Sequence, residues 1–260
     1  PAWGVPAAAW QPPRVTTPPP AAPYPAPGFA PVLACEHLTK GYGSHTALAD
    51  VTFSVPAGRV VGLLGPNGSG KTTLIKLAAG LLTPTGGSVR VLGMEPGTRT
   101  KALLSYLPER PYFAPSMKVR DCLGFFADFY ADFDRALAQD MLARLGVPAD
   151  AAMAALSKGT KEKVQLVLVM ARHAALYLLD EPIGGVDPAT RDYILDTIIS
   201  QYHRDSTILI STHLIADVEP VLDDFIFLQY GTMVVHAPVA FVREQGYESL
   251  DDYFRRAFRC

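Results

Sequence analysis

The chain runs to 260 residues, 49% of them apolar, with a formal charge of -2. That length carries one large α/β domain, or a main domain with a small insertion, and the apolar share supports a substantial core. A near-neutral balance gives no reason to expect a nucleic-acid surface, which needs clustered Lys and Arg; Arg255, Arg256 and Arg259 make only a small basic patch. Cys35, Cys122 and Cys260 are too few and too widely spaced for a disulfide framework or a metal motif, so a reducing compartment is the simpler expectation. The apolar run over 164–179 is interrupted by Gln165, Arg172 and His173 and is too short for a membrane span of about 20 residues. Any membrane role is therefore expected to come through a separate partner.

Residues 1–30 hold ten prolines, a density that excludes helix and interior sheet, and are expected to form an extended or disordered tail. Without a basic start followed by a clean apolar block they make a poor secretory signal. The folded part is expected from residue 31. Residues 32–38 and 48–55 read as two strands joined by the turn at Gly41, Tyr42 and Gly43, and Pro56 to Gly58 turn the chain into an apolar strand at 60–64. Gly86 and Gly87 introduce another strand at 88–92. A helical insertion is expected over about 110–170, with helices at 121–130 and 134–145 stopped by Gly146 and Pro148. Short apolar strands at 175–179 and 207–211 end in polar residues, as in a mostly parallel sheet that carries chemistry at its strand C-termini. Residues 225–228 and 233–235 flank Tyr230 and Gly231 as a hairpin, and 237–260 is expected to be helical.

The most informative segment is Gly65, Pro66, Asn67, Gly68, Ser69, Gly70, Lys71, Thr72 and Thr73, between the apolar strand and the helix that begins by Leu74. This is the strand, glycine loop and helix order of a phosphate cradle. Its glycines let backbone N–H groups converge on an anion, and the helix N-terminus adds a partial positive charge. Lys71 is expected on the β- and γ-phosphates and the Thr72 hydroxyl on Mg²⁺. Asp180, ending the 175–179 strand, is expected to hold Mg²⁺ opposite Thr72. Neighbouring side chains diverge along extended backbone, so Glu181 is expected to point elsewhere and to orient or deprotonate an attacking water. His213 ends the next strand, within reach of a γ-phosphate. The task these residues suit is phosphoryl transfer.

Leu156, Ser157, Lys158, Gly159 and Thr160 stand upstream of the Asp180–Glu181 strand and are similar to the LSGGQ signature. With the phosphate loop and the acidic pair, they make residues 32–236 resemble the nucleotide-binding subunit of an ATP-binding-cassette (ABC) transporter. The resemblance implies a P-loop NTPase core of α/β class with an antiparallel β subdomain and a helical insertion. It implies ATP and Mg²⁺ as ligands, Tyr42 as the aromatic stacked on adenine, Glu109 at the place of a glutamine that reaches towards Mg²⁺, and Asp187 as the aspartate of a loop crossing between two cassettes. His213 matches the switch histidine. Ser157 and Gly159 of one subunit are implied to close over ATP on the phosphate loop (Gly65, Asn67, Gly68, Ser69, Gly70, Lys71, Thr72, Thr73) of another. The implied working unit is thus a homo- or heterodimer at the cytoplasmic face of the membrane, bound to an integral permease. Tyr112 and Phe113 are the aromatics expected to meet that permease.

Lys158 and Thr160 depart from the signature, Glu109 replaces glutamine, and Gly184 stands where the crossing loop usually has serine. The glutamate is retained, so an active ATPase is expected. The wording around His213 resembles bacterial export-type cassettes of the antibiotic-resistance and acetoin-utilisation kind, which leans towards export of a lipid, peptide or drug. The alternative is a soluble ABC ATPase acting as a regulatory or assembly module without transport.

Overall fold

The structure, a computed structural model, describes residues 31–200 and 205–257. The expected Pro-rich tail and residues 258–260 lie outside the described residues. The chain begins with an antiparallel hairpin, β1 (Leu33–Tyr42) and β2 (His45–Val55), followed by β3 (Val60–Leu64), α1 (Lys71–Ala78) and β4 (Gly86–Val91). Next come α2 (Thr98–Leu103), β5 (Leu104–Leu107), α3 (Val119–Phe129), α4 (Arg135–Arg144) and α5 (Lys158–Met170). The order continues β6 (Leu176–Asp180), α6 (Pro188–Ser200), β7 (Thr207–Thr212), α7 (Ile215–Val218), β8 (Asp224–Gln229), β9 (Thr232–Pro238), α8 (Ala240–Glu244) and α9 (Leu250–Ala257). One sheet runs β2-β1-β4 and is antiparallel; the other runs β5-β6-β7-β3-β8-β9, parallel except for the final hairpin.

The central strands are apolar without alternation because both faces are covered. Val60, Leu64, Ile208, Ile210, Phe225 and Phe227 pack on one side with α5, α6, α7 and the C-terminal helices. Their sequence neighbours Val61, Leu63, Leu209, Ile226 and Leu228 point the other way, onto α1 and the antiparallel sheet. The two-residue strand period sorts them. Polar groups are thereby driven to the ends of the strands, where β3, β6 and β7 terminate side by side.

Helix α5 explains the interrupted apolar run. Its Leu166, Val169 and Met170 join the sheet core, while Val164, Val167 and Leu168 join the separate core of α3 and α4. It is buried on two sides by two layers, so its apolar residues cluster instead of recurring on one face. At the end of this run Arg172 is 2% exposed. Its guanidinium donates to both carboxylate oxygens of Asp132 at 3.0 Å, to Leu104 O at 2.6 Å and to Ala102 O at 2.8 Å, and lies 3.7 Å from the centre of the Tyr130 ring. It ties the insertion to the start of β5. The C-terminal segment differs from a continuous helix: α8 and α9 are separated by residues 245–249, where Gly246 adopts φ 81°.

Removing the carboxylate leaves a buried cation uncompensated. Asp132→Ala is expected to lower the unfolding free energy by about 3 kcal/mol in urea titrations, whereas Arg120→Ala, at the exposed ion pair with Asp150, shifts it by under about 1 kcal/mol. His236, stacked edge-on against Phe53, gives a pH signature. Burial pushes its imidazole down to about 4 from 6.5, so the unfolded chain takes up the proton first and stability is lost as pH falls from 6.5 to 4. His236→Gln should make denaturation midpoints shallower in that window, by at most about 1.4 kcal/mol per pH unit.

Candidate active site

The phosphate loop joins the end of β3 to α1 and is held from behind. Gly70, the residue before α1, has φ 105°, and a Cβ there would lie 2.6 Å from Ala47 O of β2. At Gly65 a Cβ would lie 2.2 Å from Leu228 O of β8. No side chain fits either position. Gly231 N–H donates to Ser69 O at 3.1 Å, so the β8–β9 turn braces the loop as well.

Lys71, at 5% exposure, donates through Nζ to Gly65 O at 2.8 Å and to Pro66 O at 3.2 Å, with Glu181 Oε1 at 3.4 Å. Burial draws its pKa below the usual ammonium range, opposed by the Glu181 charge. Thr72 Oγ1 donates to Asp180 Oδ1 at 3.0 Å, and Ser211 Oγ donates to the same oxygen at 2.7 Å. The second oxygen, Oδ2, is buried and has no hydrogen-bond partner. Burial raises the Asp180 carboxyl pKa, against the two hydroxyl bonds that lower it. An orphaned carboxylate oxygen beside a threonine hydroxyl fits the oxygen donor set of Mg²⁺.

Glu181 points away from Asp180, though not by strand alternation. The strand stops at Asp180, and Glu181 takes φ 51°, a left-handed turn that swings its side chain towards Lys71 and His213. Its N–H donates to Ser211 O at 3.0 Å and Ser211 Oγ at 3.1 Å, which holds that turn. His213 Nδ1 lies 3.0 Å from Glu181 Oε2. Ser211 therefore positions both acids. No role was expected for it from the sequence, yet it is the parallel-strand partner of Asp180, and a hydroxyl paired across from a strand-end acid is a readable signal.

Lys71, Thr72, Glu181 and His213 open onto a cleft of about 790 Å³, lined also by Tyr42, His45, Asn67 to Gly70, Thr73, Glu109, Lys158, Glu162, Gly184 and Gly185 among others, with Asp180 buried behind it. Tyr42 is 46% exposed at its rim. Gly159 and Asp187 lie beside Thr190 at the start of α6. Asp187 accepts from Thr190 N at 3.0 Å and Thr190 Oγ1 at 2.7 Å, bonds that hold its carboxyl below the usual range. A Cβ on Gly159 would lie 3.7 Å from Thr190 Oγ1. Ser157 Oγ caps α5 by accepting from Thr160 N at 3.2 Å and shares a hydrogen bond with Thr160 Oγ1 at 2.8 Å.

Residues 48–184 match the family model described as ABC transporter. The chain belongs to the ABC transporter ATP-binding family. It is 32% identical over 209 residues to the uncharacterized ABC transporter ATP-binding protein YhaQ of Bacillus subtilis (strain 168), covering 78% of this chain and 70% of that one. It is 33% identical over 215 residues to the Nod factor export ATP-binding protein I of Rhizobium meliloti (strain 1021), covering 79% and 64%. A solved ATP-binding subunit of an ABC transporter superposes with a TM-score of 0.77 at 31% identity, covering 87% of this chain and 99% of that one. The fold is accordingly that of an ABC ATPase nucleotide-binding domain.

In this ABC cassette the Asp180 carboxylate carries a tension between stability and binding. Asp180→Asn should leave the melting temperature without ligand unchanged or raised, since an amide is cheaper to bury than an unpaired charge. It should also remove the Mg²⁺-dependent part of ADP affinity, a loss of roughly tenfold or more, read by titration with and without the metal.

Proposed function

We propose that this chain hydrolyses ATP as one half of a paired cassette that drives a separately encoded membrane permease. The observation that carries the reading is the convergence of Lys71, Glu181 and His213 beside the orphaned Asp180 oxygen. The α1 N-terminus and Lys71 would hold the β- and γ-phosphates, and Thr72 with Asp180 would hold Mg²⁺, with Glu109 reaching towards it. The metal would supply charge neutralisation on the phosphate oxygens. Glu181 would accept a proton from water as its oxygen bonds to the γ-phosphorus. The bond from that phosphorus to the β,γ-bridging oxygen breaks, leaving ADP and inorganic phosphate. His213, bonded to Glu181, would fix the carboxylate's direction and face the γ-phosphate. Tyr42 at the rim would stack on adenine.

A pair is favoured because Ser157, Gly159 and Asp187, unlike their neighbour Lys158, do not line the cleft around their own phosphate loop. Those groups would complete the site of a second subunit, the same chain or a different cassette.

The permease is expected on a groove of about 470 Å³ between core and insertion, lined by Leu81, Tyr106, Tyr112, Phe125 and the two lysines Lys76 and Lys101. Tyr112 is 49% exposed there, and Phe125 43%. Phe113, half-buried, stacks on Tyr112 and packs against Phe126 behind it. Among the described residues no helix is long and apolar enough to cross a membrane. Membrane attachment, at the cytoplasmic face, would come through this groove. Relatives named for Nod factor export support a direction of export, with a lipid, peptide or drug as the cargo class.

Glu181→Gln should retain ATP binding, lower steady-state hydrolysis by about 10²- to 10⁴-fold, and give a dimer by light scattering with saturating ATP and Mg²⁺. Unchanged hydrolysis would remove Glu181 from its assigned role. A protein that stays monomeric, alone and with candidate partner cassettes, would end the paired-site reading.

A further inference from the structure

Tyr42 stands at the tip of the β1–β2 hairpin, paired with His45 across a short turn in which Gly43 adopts φ 58°. Loop tips are where a fold holds its side chains least firmly. Among the described residues the Tyr42 hydroxyl makes no hydrogen bond and no second ring lies against it. A ring that receives a planar group from the cleft needs a neighbour on its other side to fix its direction.

Lys40 is that neighbour. Its Nζ lies over the Tyr42 ring, 5.2 Å from the centre, inside the roughly 6 Å range in which a cation is drawn to the negative face of an aromatic. Tyr42, His45 and Ala47 line the cleft and Lys40 does not, so the ammonium meets the ring from outside. No carboxylate among the described residues pairs with Lys40, which leaves its charge free to act on the ring. The ammonium is itself anchored, donating to Thr83 O at 2.8 Å. The same stretch between α1 and β4 grips the strand on either side of Lys40. Gly41 N–H donates to Thr85 Oγ1 at 3.0 Å, and Thr85 N–H donates to Thr39 O at 2.8 Å. Three consecutive residues of β1 are thus tied to residues 83–85 immediately before Tyr42.

We propose that Lys40 is a positioning residue for the base of the bound nucleotide: its ammonium, anchored on Thr83, backs the Tyr42 ring and keeps the opposite face turned to the cleft. This rests on the reading of Tyr42 as the aromatic that stacks on adenine, and adds to it the group that sets the ring's direction. Lys71 and the loop N–H groups serve the phosphate end of the ligand, whereas Lys40 acts through Tyr42 on the base end alone. Its contribution is therefore to nucleoside affinity and not to phosphate affinity.

The test compares Lys40→Met and Lys40→Arg with the parent, all as the full chain, by titration with Mg²⁺–ADP and by competition with Mg²⁺–pyrophosphate, which carries no base. Lys40→Met is expected to weaken ADP binding by about two- to fivefold and to leave pyrophosphate binding unchanged. Lys40→Arg should restore ADP affinity, since a guanidinium also lies well over an aromatic face. In a Tyr42→Ala background, Lys40→Met should remove nothing further. Undiminished ADP affinity in the Met variant would overturn the proposal. So would an equal loss of pyrophosphate binding, which would mark a general attraction for anions, or a loss that persists without Tyr42. If Tyr42→Ala alone leaves ADP affinity unchanged, the stacking reading fails and this proposal with it; if Tyr42→Ala weakens ADP while Lys40→Met does not, only the role of Lys40 ends.

Discussion

A parallel sheet covered on both faces has one place to keep polar side chains, and the whole arrangement of this protein depends on that constraint. Backbone pairing fills the interior of β3, β6 and β7, and apolar side chains fill the space above and below. Asp180 marks the limit of what such a sheet tolerates. It is 1% exposed, holds two hydroxyl donors on one oxygen and offers the other to nothing in the protein. A carboxylate in that condition is held by Ser211 at the end of β7 and by Thr72 at the start of α1. The same pinning leaves its second oxygen available to the Mg²⁺ of the proposed reaction.

The groups around it are arranged so that charges are shared instead of isolated. Lys71 sits between loop carbonyls and Glu181, Glu181 between Lys71 and His213, and Ser211 joins the two acids through one hydroxyl and its backbone carbonyl. Breaking any one contact leaves a neighbour desolvated without compensation, which is costlier than the contact itself is stabilising. The left-handed turn at Glu181 is part of this balance. It carries backbone strain at a residue with a long side chain, and two Ser211 hydrogen bonds and the close-packed Gly184 keep it in place.

The strands that run into the cleft were legible because turn residues and unbroken apolar runs frame them, and the phosphate loop because its spacing is chemically constrained. Helix α5 was expected only as an unbounded part of the insertion over about 110–170, because burial on two sides erases the periodicity that would delimit it. Strand β5 has only four residues, and one of them, Ser105, is polar and satisfied by Val169 O. The reason given for the direction of Glu181 was also beyond the sequence, since a positive φ at glutamate is set by tertiary hydrogen bonds and not by local preference. Phe113 illustrates a different limit. Composition marks a cluster of aromatics in the insertion, but only packing separates those that fill its core, Phe113 and Phe126, from those that face outward, Tyr112, Phe125 and Phe129.

The segment after β5 connects the outward-facing groove to the cleft over a very short path. Tyr106 and Pro108 line the groove, and Glu109 and Arg110 line the cleft. Gln165 of α5 donates to Pro108 O at 3.3 Å, so the helix that begins at Lys158 is tied to the same segment. Arg172, at the far end of that helix, holds the start of β5 through Ala102 O and Leu104 O. The stretch between groove and cleft is therefore held by Gln165 of α5 at one end and by Arg172, just beyond α5, at the other. Glu109, which ends that stretch, stands on the cleft side.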